Sequence, residues 1–183
     1  DYSTSLLEKK GGINKKRYIV YLDTPPPYFL GDALYDGKKP AKNNVEMWYN
    51  ELNSFFDYIE NLFKARVIII PHHKYKIPRL KKKNLNPYFK KRVSDNSYNA
   101  CEKLIPGCLF IVNKGSSALA HAITHYKPIQ HIYSSNYLYE EHQMKDLLLH
   151  SKLSGGKIIN IASINKKELI NNVKVNKKKY NLY

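Results

Sequence analysis

The sequence predicts an α/β domain with a doubly wound, mostly parallel sheet of the Rossmann type. Strand-like and helix-like segments alternate along most of the chain, and each predicted strand is a short, nearly continuous apolar run. Such runs are typical of parallel strands that are covered on both faces. Because crossovers between parallel strands are right-handed, this alternation gives a doubly wound domain.

Five strands are predicted, and most of them are followed by a proline or a polar residue. They are Tyr18–Asp23, Arg66–Ile70, Leu109–Val112, Ile129–Tyr133 and Lys157–Ile161. The basic segment 74–95 contains Pro78 and Pro87, and proline cannot donate a hydrogen bond to a sheet. We therefore expect this segment to be a loop with little regular structure.

The clearest predicted helix covers Val45–Phe63, where apolar residues recur at steps of three and four. Asn43 or Asn44 can cap its first turn. The aromatic stripe of this helix predicts core packing rather than a ligand site. The remaining predicted helices are Tyr98–Ile105, Ser116–His125, Leu138–Ser151 and Ile164–Val173.

The length of 183 residues suits one domain with a substantial core. Residues 1–17 are polar and include a Gly-Gly pair, so we expect a flexible lead-in or linker there. The Rossmann-like domain is predicted over residues 18–174, followed by a basic tail at 175–183. Since the first residue is Asp1 rather than Met, we expect this chain to be a fragment of a longer protein.

The formal net charge of +16 favours partners that are anionic, such as nucleic acid, anionic lipid or phosphorylated small molecules. The charge and the 16 tyrosines also suit a nucleic-acid-binding module, which is the alternative from another class. Against this alternative, no known nucleic-acid-binding motif is present. Cys101 and Cys108 are too few for a disulfide framework and match no zinc pattern. Two such thiols are typical of a reducing cytoplasm, where we expect this chain.

Polar groups follow three of the predicted strands, at the edge where parallel sheets bind ligands. Asp23 ends the first strand, and the second is followed by Pro71-His72-His73-Lys74. A histidine such as His72 can hydrogen-bond a phosphate oxygen or protonate it as it leaves, and Lys74 adds positive charge. The alternative is that these are ordinary residues of strand-ending turns.

The loop Asn113-Lys114-Gly115-Ser116-Ser117-Ala118 gives the strongest local signal. Gly115 permits a tight turn, and the two serines are predicted in the first helical turn, where free N–H groups favour an anion. The loop therefore predicts a phosphate or diphosphate site, with plain N-capping by serine as the alternative. It has neither the Walker order nor three spaced glycines, and we expect no metal and no cofactor.

The order of these features resembles the C-terminal, donor-binding half of GT-B-fold glycosyltransferases that build bacterial capsule, lipopolysaccharide or lipooligosaccharide. Bacterial sialyltransferases and polysialyltransferases share the histidine and serine motifs. The resemblance covers roughly residues 18–161. It is carried by Asp23 and its proline-rich loop, the helix segment Trp48-Tyr49-Asn50-Glu51-Leu52-Asn53-Ser54-Phe55-Phe56-Asp57, His72, the serine pair with Ala118 and Ala122, and Lys127-Pro128-Ile129. His73 departs from the family, which usually has proline there.

The resemblance implies that the domain binds a nucleotide-sugar as donor substrate. It implies that His72 contacts the donor phosphate and assists departure of the nucleotide, and that Ser116 and Ser117 bind that phosphate. Glu140 or Glu141 would hold the ribose, and Asp23 would lie in the same donor site. The alternative for the two acids is that they only suit the first turn of a helix, whose dipole favours negative charge. Two lysines, Lys74 and Lys114, would stabilise the leaving phosphate in place of a metal ion.

In the family the general base lies in an N-terminal acceptor domain, which this chain lacks. We therefore expect the chain alone to bind a donor without turning it over. A GT-B-like nucleotide-sugar 2-epimerase or a polyol-phosphate transferase of teichoic-acid type would share the fold and the phosphate site. The basic surface is compatible with peripheral docking at the anionic inner face of the membrane.

Overall fold

The computed structural model describes residues 17–25, 37, 44–72, 87–89, 92–94, 99–139, 141–164, 169 and 173. The strands are β1 (Tyr18–Leu22), β2 (Arg66–Ile70), β3 (Val93–Ser94), β4 (Ile111–Asn113), β5 (Ile129–Tyr133) and β6 (Ile158–Asn160). The helices are α1 (Val45–Phe63), α2 (Ala100–Leu104), α3 (Leu119–Thr124) and α4 (Glu141–Ser154), with 3₁₀ turns at Pro87–Phe89 and Ile105–Gly107.

The six strands form one sheet in the order β3-β2-β1-β4-β5-β6, and every neighbouring pair is parallel. The chain builds outwards from β1 to β3, returns to the centre, and builds β4 to β6 in the opposite direction. This order is that of a doubly wound Rossmann-like fold, so the predicted fold class is confirmed. The direction reverses between β1 and β4, and a ligand crevice is expected outside their carboxyl ends.

The sheet is covered on both faces, because the residues of β1, β2, β4 and β5 alternate between two cores. Ile19 and Tyr21 of β1 join the core beneath α1, together with buried α1 residues such as Phe56. Val20 and Leu22 join the core beneath α2 and α3. Burial on both faces explains why the strands read as continuous apolar runs in the sequence.

Helix α1 forms where the periodicity predicts it, and its ends have ordinary physical causes. Its first turn is capped by Asn44, whose side chain accepts a hydrogen bond from the Met47 N–H at 3.0 Å. Lys64 ends the helix in the left-handed conformation, with φ at 50°. Asn43, the other predicted cap, lies outside the described residues.

Strand β3 is absent from the sequence prediction, which assigns a loop to 74–95. It has only two residues and forms by pairing with Ile68 and Ile69 of β2. The preceding residue, Arg92, is held by α1 through Asp57 at 2.5 Å and Glu60 at 3.0 Å. Since these partners are more than thirty residues away in the chain, local sequence carries little signal for the strand.

Other predicted boundaries are corrected by a few residues. Helix α3 begins at Leu119 rather than Ser116, and α4 runs from Glu141 to Ser154 rather than from Leu138 to Ser151. Helix α2 covers Ala100–Leu104 of the predicted Tyr98–Ile105, and Tyr98 lies outside the described residues. Of the predicted last helix, Leu169 is helical and fully buried, whereas most of its neighbours lie outside the described residues. The predicted basic tail lies outside them too, as does the lead-in up to residue 16.

In the part of the chain that the structure describes, no helix is long and apolar enough to cross a membrane.

Candidate functional site

The carboxyl ends of β2, β1 and β4 lie side by side at one edge of the sheet. Leu22 of β1 is level with Ile70 of β2 and with Asn113 of β4. The residues that follow these three positions therefore leave the sheet at the same level, and the Asp23 N–H donates to the Ile70 carbonyl at 3.0 Å. The structure thus brings together the three strand ends singled out in the sequence.

Some of the predicted donor-site residues cannot be placed. Lys74 and Glu140 lie outside the described residues. Glu141 is the first residue of α4, and its side chain lies outside the described part of the structure. His72 is described, and it is half-buried directly beyond β2.

The predicted phosphate loop is a tight turn between β4 and α3. Gly115 has φ at +115°, which favours glycine, and an added Cβ would meet nothing within 4 Å. The Ser116 N–H donates to Asn113 Oδ1 at 2.8 Å, and Ser116 Oγ accepts from the Ala118 N–H at 3.4 Å. The Ser116 hydroxyl therefore contributes to the turn itself, while Ser117 is the exposed member of the pair.

The side chain of Lys114 points away from this loop into an aromatic enclosure, formed by Trp48, Tyr137 and Tyr139. Its Nζ lies 3.9 Å from the centroid of the Tyr137 ring, 4.4 Å from that of Trp48 and 5.5 Å from that of Tyr139. Burial lowers the pKa of the Lys114 amine from 10.5 to about 7, against the opposing charge of Asp23. The amine can therefore carry or release a proton near neutral pH, among ring faces that attract its charged form.

A fourth polar strand end, which the sequence prediction missed, holds this enclosure together. In the loop after β5, the Ser134 hydroxyl donates to the Glu51 carboxylate at 2.5 Å, and the Asn136 amide donates to it at 2.6 Å. The Ser134 N–H donates to the Tyr139 hydroxyl at 3.0 Å. The loop is thereby fixed to α1. The run Ser134-Ser135-Asn136, directly after a predicted strand, is the sequence signal that could have indicated this polar strand end.

On the opposite face of the sheet, a buried chain of hydrogen bonds runs from the phosphate loop to α4. Asn113 Nδ2 lies 3.4 Å from His131 Nδ1, and His131 Nε2 lies 2.8 Å from Ser154 Oγ. Because the Ser154 hydroxyl donates its own hydrogen to the His150 carbonyl, Ser154 Oγ accepts a hydrogen bond from the His131 Nε2–H. Burial and the neighbouring His150 lower the pKa of His131 from 6.5 to about 4, so this imidazole is neutral at pH 7.

Among the residues that the structure describes, no group of three His, Cys, Asp or Glu side chains is placed to hold a metal ion. His121 and His125 stand four residues apart in and just after α3, and no third side chain of this kind joins them among the described residues. The described residues at the sheet edge include the His72 imidazole, serine hydroxyl groups, the buried Lys114 amine and the buried Asp23 carboxylate.

No protein-family model and no curated protein matches the chain. Among solved structures, the chain is similar to the crystal structure of the glycotransferase of kitacinnamycin, with 10% sequence identity and a TM-score of 0.42. The matched region covers 88% of this chain and 35% of that chain, so this chain spans about a third of that structure's length. A score of this size does not establish a common fold, and the function has to be inferred from the chain's own residues.

Proposed function

We propose that this domain binds a nucleotide-sugar and is the donor-binding half of a bacterial glycosyltransferase of surface-polysaccharide synthesis. The observation that carries the proposal is the meeting of Asp23, His72 and the 114–117 loop at the point where the strand order reverses. Ligands of doubly wound sheets bind at this point. The order of motifs in the sequence supports the sugar-nucleotide class.

In the proposed complex the donor diphosphate lies against the turn at Gly115, and the exposed Ser117 donates a hydrogen bond to it. Glycosyl transfer breaks the bond between the anomeric carbon and the phosphate oxygen, and forms a bond to the acceptor oxygen. His72 would donate a hydrogen bond or a proton to the departing phosphate, with Lys74 supplying positive charge. Lys114, which the sequence also assigns to the phosphate, would not contact it, because its amine is enclosed by aromatic rings. Glu140 or Glu141 would hold the ribose, and the acceptor domain with its general base would lie outside this chain.

A thermal-shift screen against UDP, CMP, GDP and CDP tests this proposal. A nucleotide at about a hundred times its Kd adds about 2.7 kcal/mol of stability, which raises Tm by several degrees. We expect one nucleotide to do so, and Ser116→Ala/Ser117→Ala and His72→Ala each to remove the shift. Ser54→Ala, in an exposed serine of α1, is the matched control and retains it.

Stabilisation by no nucleotide, combined with salt-sensitive binding of oligonucleotides, would replace this proposal with a nucleic-acid-binding module. Stabilisation that survives the serine and histidine substitutions would move the site away from this edge. A nucleotide-sugar 2-epimerase or polyol-phosphate transferase would give the same shift, and an acceptor assay on the longer protein separates these reactions.

A further inference from the structure

One chain of hydrogen bonds joins the last turn of α4 to the predicted phosphate loop. The Ser116 N–H donates to Asn113 Oδ1 at 2.8 Å, and Asn113 Nδ2 lies 3.4 Å from His131 Nδ1. His131 Nε2 lies 2.8 Å from Ser154 Oγ, and the Ser154 hydroxyl donates to the His150 carbonyl at 2.8 Å. The side chains of Asn113, His131 and Ser154 are buried, so their hydrogen-bond partners are set by the protein rather than by water.

The direction of this chain of hydrogen bonds follows from its first link. Because the Ser116 N–H needs an acceptor, the Asn113 amide presents Oδ1 to it and Nδ2 to the ring of His131. An amide NH₂ group only donates, so His131 Nδ1 is the unprotonated nitrogen and Nε2 carries the hydrogen. That hydrogen needs an acceptor because the ring is buried, and Ser154 Oγ provides one. The tautomer of His131 and the orientation of the Asn113 amide therefore fix each other.

The same link decides which backbone groups of the loop are left for a ligand. The Ser116 N–H donates to Asn113, and the Ala118 N–H donates to Ser116 Oγ at 3.4 Å. Within the described part of the chain, no protein group accepts a hydrogen bond from the N–H of Gly115 or of Ser117. Ser117 is also exposed, so its N–H and its hydroxyl are the donors that this conformation of the loop offers to a phosphate.

We infer that His131 and Ser154 are positioning residues that hold the 113–118 loop in its phosphate-binding conformation, acting through the Asn113 amide. Without Ser154 Oγ, the buried Nε2–H of His131 loses its acceptor, and the Nδ1–H tautomer competes. That tautomer needs an oxygen from Asn113, so the amide turns Oδ1 towards the ring and the Ser116 N–H loses its partner. The effect on phosphate binding rests on the proposed function, whereas the effect on the Ser116 N–H does not.

Hydrogen exchange of the Ser116 amide, measured by NMR on the chain without ligand, tests the positioning role. The rate is taken relative to that of the Ile111 amide of β4, which donates to the Pro128 carbonyl, so that a general loss of stability cancels. Ser154→Ala should raise this relative rate by about fivefold or more, because the Ser116 N–H loses its acceptor. The ring nitrogens of His131 should show the Nε2–H tautomer in the wild type and a mixture of tautomers in Ser154→Ala.

Two variants separate the positioning role from a general effect on the end of α4. Ser154→Thr keeps the hydroxyl and should restore the wild-type rate to within about twofold. Ser151→Ala is the matched control, because it removes a hydroxyl of the same helix end that donates to the Gly156 carbonyl and has no part in the chain. Calorimetric titration with UDP, CMP, GDP and CDP then measures the effect on binding. Ser154→Ala should weaken the nucleotide that binds by about fivefold, and Ser151→Ala by less than about twofold.

The positioning role is overturned if Ser154→Ala leaves the relative exchange rate of Ser116 unchanged, or if Ser151→Ala raises it as much. A nucleotide that binds the wild type and Ser154→Ala equally well would also overturn it, while the proposed function would stand. If none of the four nucleotides binds the wild type, the proposed function fails and takes the effect on affinity with it. The exchange rate of Ser116, which needs no ligand, would then still decide whether His131 and Ser154 hold the loop.

Discussion

Two consecutive residues at the end of β4, Asn113 and Lys114, place their side chains on opposite faces of the sheet. The buried polar group has aromatic neighbours on one face and hydrogen-bond partners on the other. On the α1 face, the Lys114 amine contacts the rings of the aromatic enclosure, with the Asp23 carboxylate as its charged neighbour. On the α4 face, Asn113 begins a chain of hydrogen bonds through His131 to Ser154.

The surroundings of each buried group favour a different protonation state. The neutral His131 has a donor for Nδ1 and an acceptor for Nε2–H, so hydrogen bonding adds to burial in favouring the uncharged ring. The rings around Lys114 and the charge of Asp23 favour the charged amine and partly offset its burial. The pKa of His131 falls from 6.5 to about 4 and that of Lys114 from 10.5 to about 7, so burial of the amine outweighs the attraction of the rings and of Asp23.

The largest effect is expected at Gly156, which packs against the hydrogen-bonded face. A Cβ there would lie 2.6 Å from the Ile129 carbonyl oxygen and 3.0 Å from His131 Cδ2. Gly156→Ala should therefore lower the free energy of unfolding in urea by about 3 kcal/mol. Gly115→Ala is the control, because its Cβ meets nothing within 4 Å and the cost is backbone strain alone, about 1 kcal/mol. A larger loss at Gly115 than at Gly156 would contradict the packing described here.

Lys114 should give the α1 face a pH dependence in the alkaline range. Its pKa is lower in the folded state than in the unfolded state, so the unfolded chain binds more protons between pH 7 and 10.5 and stability rises with pH. From pH 7 to pH 9, below the tyrosine titrations, Lys114 should add about 2 kcal/mol to the free energy of unfolding.

Urea titrations at pH 7, 8 and 9 measure this slope. Lys114→Met should remove it, and Lys103→Met, in an exposed lysine of α2, should leave it unchanged. A slope that persists in Lys114→Met would mean that the amine is not the group responsible.

His131 should produce the corresponding dependence at acidic pH. The pKa of this histidine is also lower in the folded state, so its contribution to stability is present above pH 6.5 and is lost as the pH falls towards 4. Between pH 7 and pH 4.5 the loss should amount to about 2 kcal/mol. His131→Gln should flatten this part of the profile relative to His125→Gln, which changes an exposed histidine. Equal profiles for the two variants would remove His131 from the explanation.

The smallest effect is expected from removing one ring of the aromatic enclosure. Tyr137→Leu keeps an apolar side chain but removes the ring nearest to the Lys114 Nζ, whose attraction for a cation is worth about 1 kcal/mol. The pKa of Lys114 should fall further, by somewhat less than one unit, as measured by NMR titration of the labelled amine. Phe is the informative second substitution, since Tyr137→Phe retains a ring and should leave the pKa nearly unchanged.

Local sequence was sufficient for most of the fold. Helix α1 and strands β2 and β5 have the predicted bounds. Strands β1, β4 and β6 and helices α2, α3 and α4 differ from their predicted bounds at their ends, as at Ser116, whose N–H donates to the Asn113 side chain in a turn before α3. The site was predicted less completely. That Asp23, His72 and Lys114 leave the sheet at the same edge follows from the parallel strands. The direction of the Lys114 side chain and the hydrogen bonds of Glu51 to the loop after β5 could not be predicted in this way. Ser117, His72 and the other predicted donor contacts stay predictions until a nucleotide is tested.

Because apolar periodicity and turn residues are local properties, the sequence was enough to predict the doubly wound class, the positions of five of the six strands and the edge at which the polar strand ends lie. Features that depend on residues far apart in the sequence could be seen only in the folded structure. These are the pairing of β3, anchored by Arg92 on α1, the enclosure of the Lys114 amine by rings from two segments, and the orientation of α4. In the run Leu147-Leu148-Leu149 only the first leucine is buried, since the sheet covers one side of a helix and three adjacent residues point in three directions.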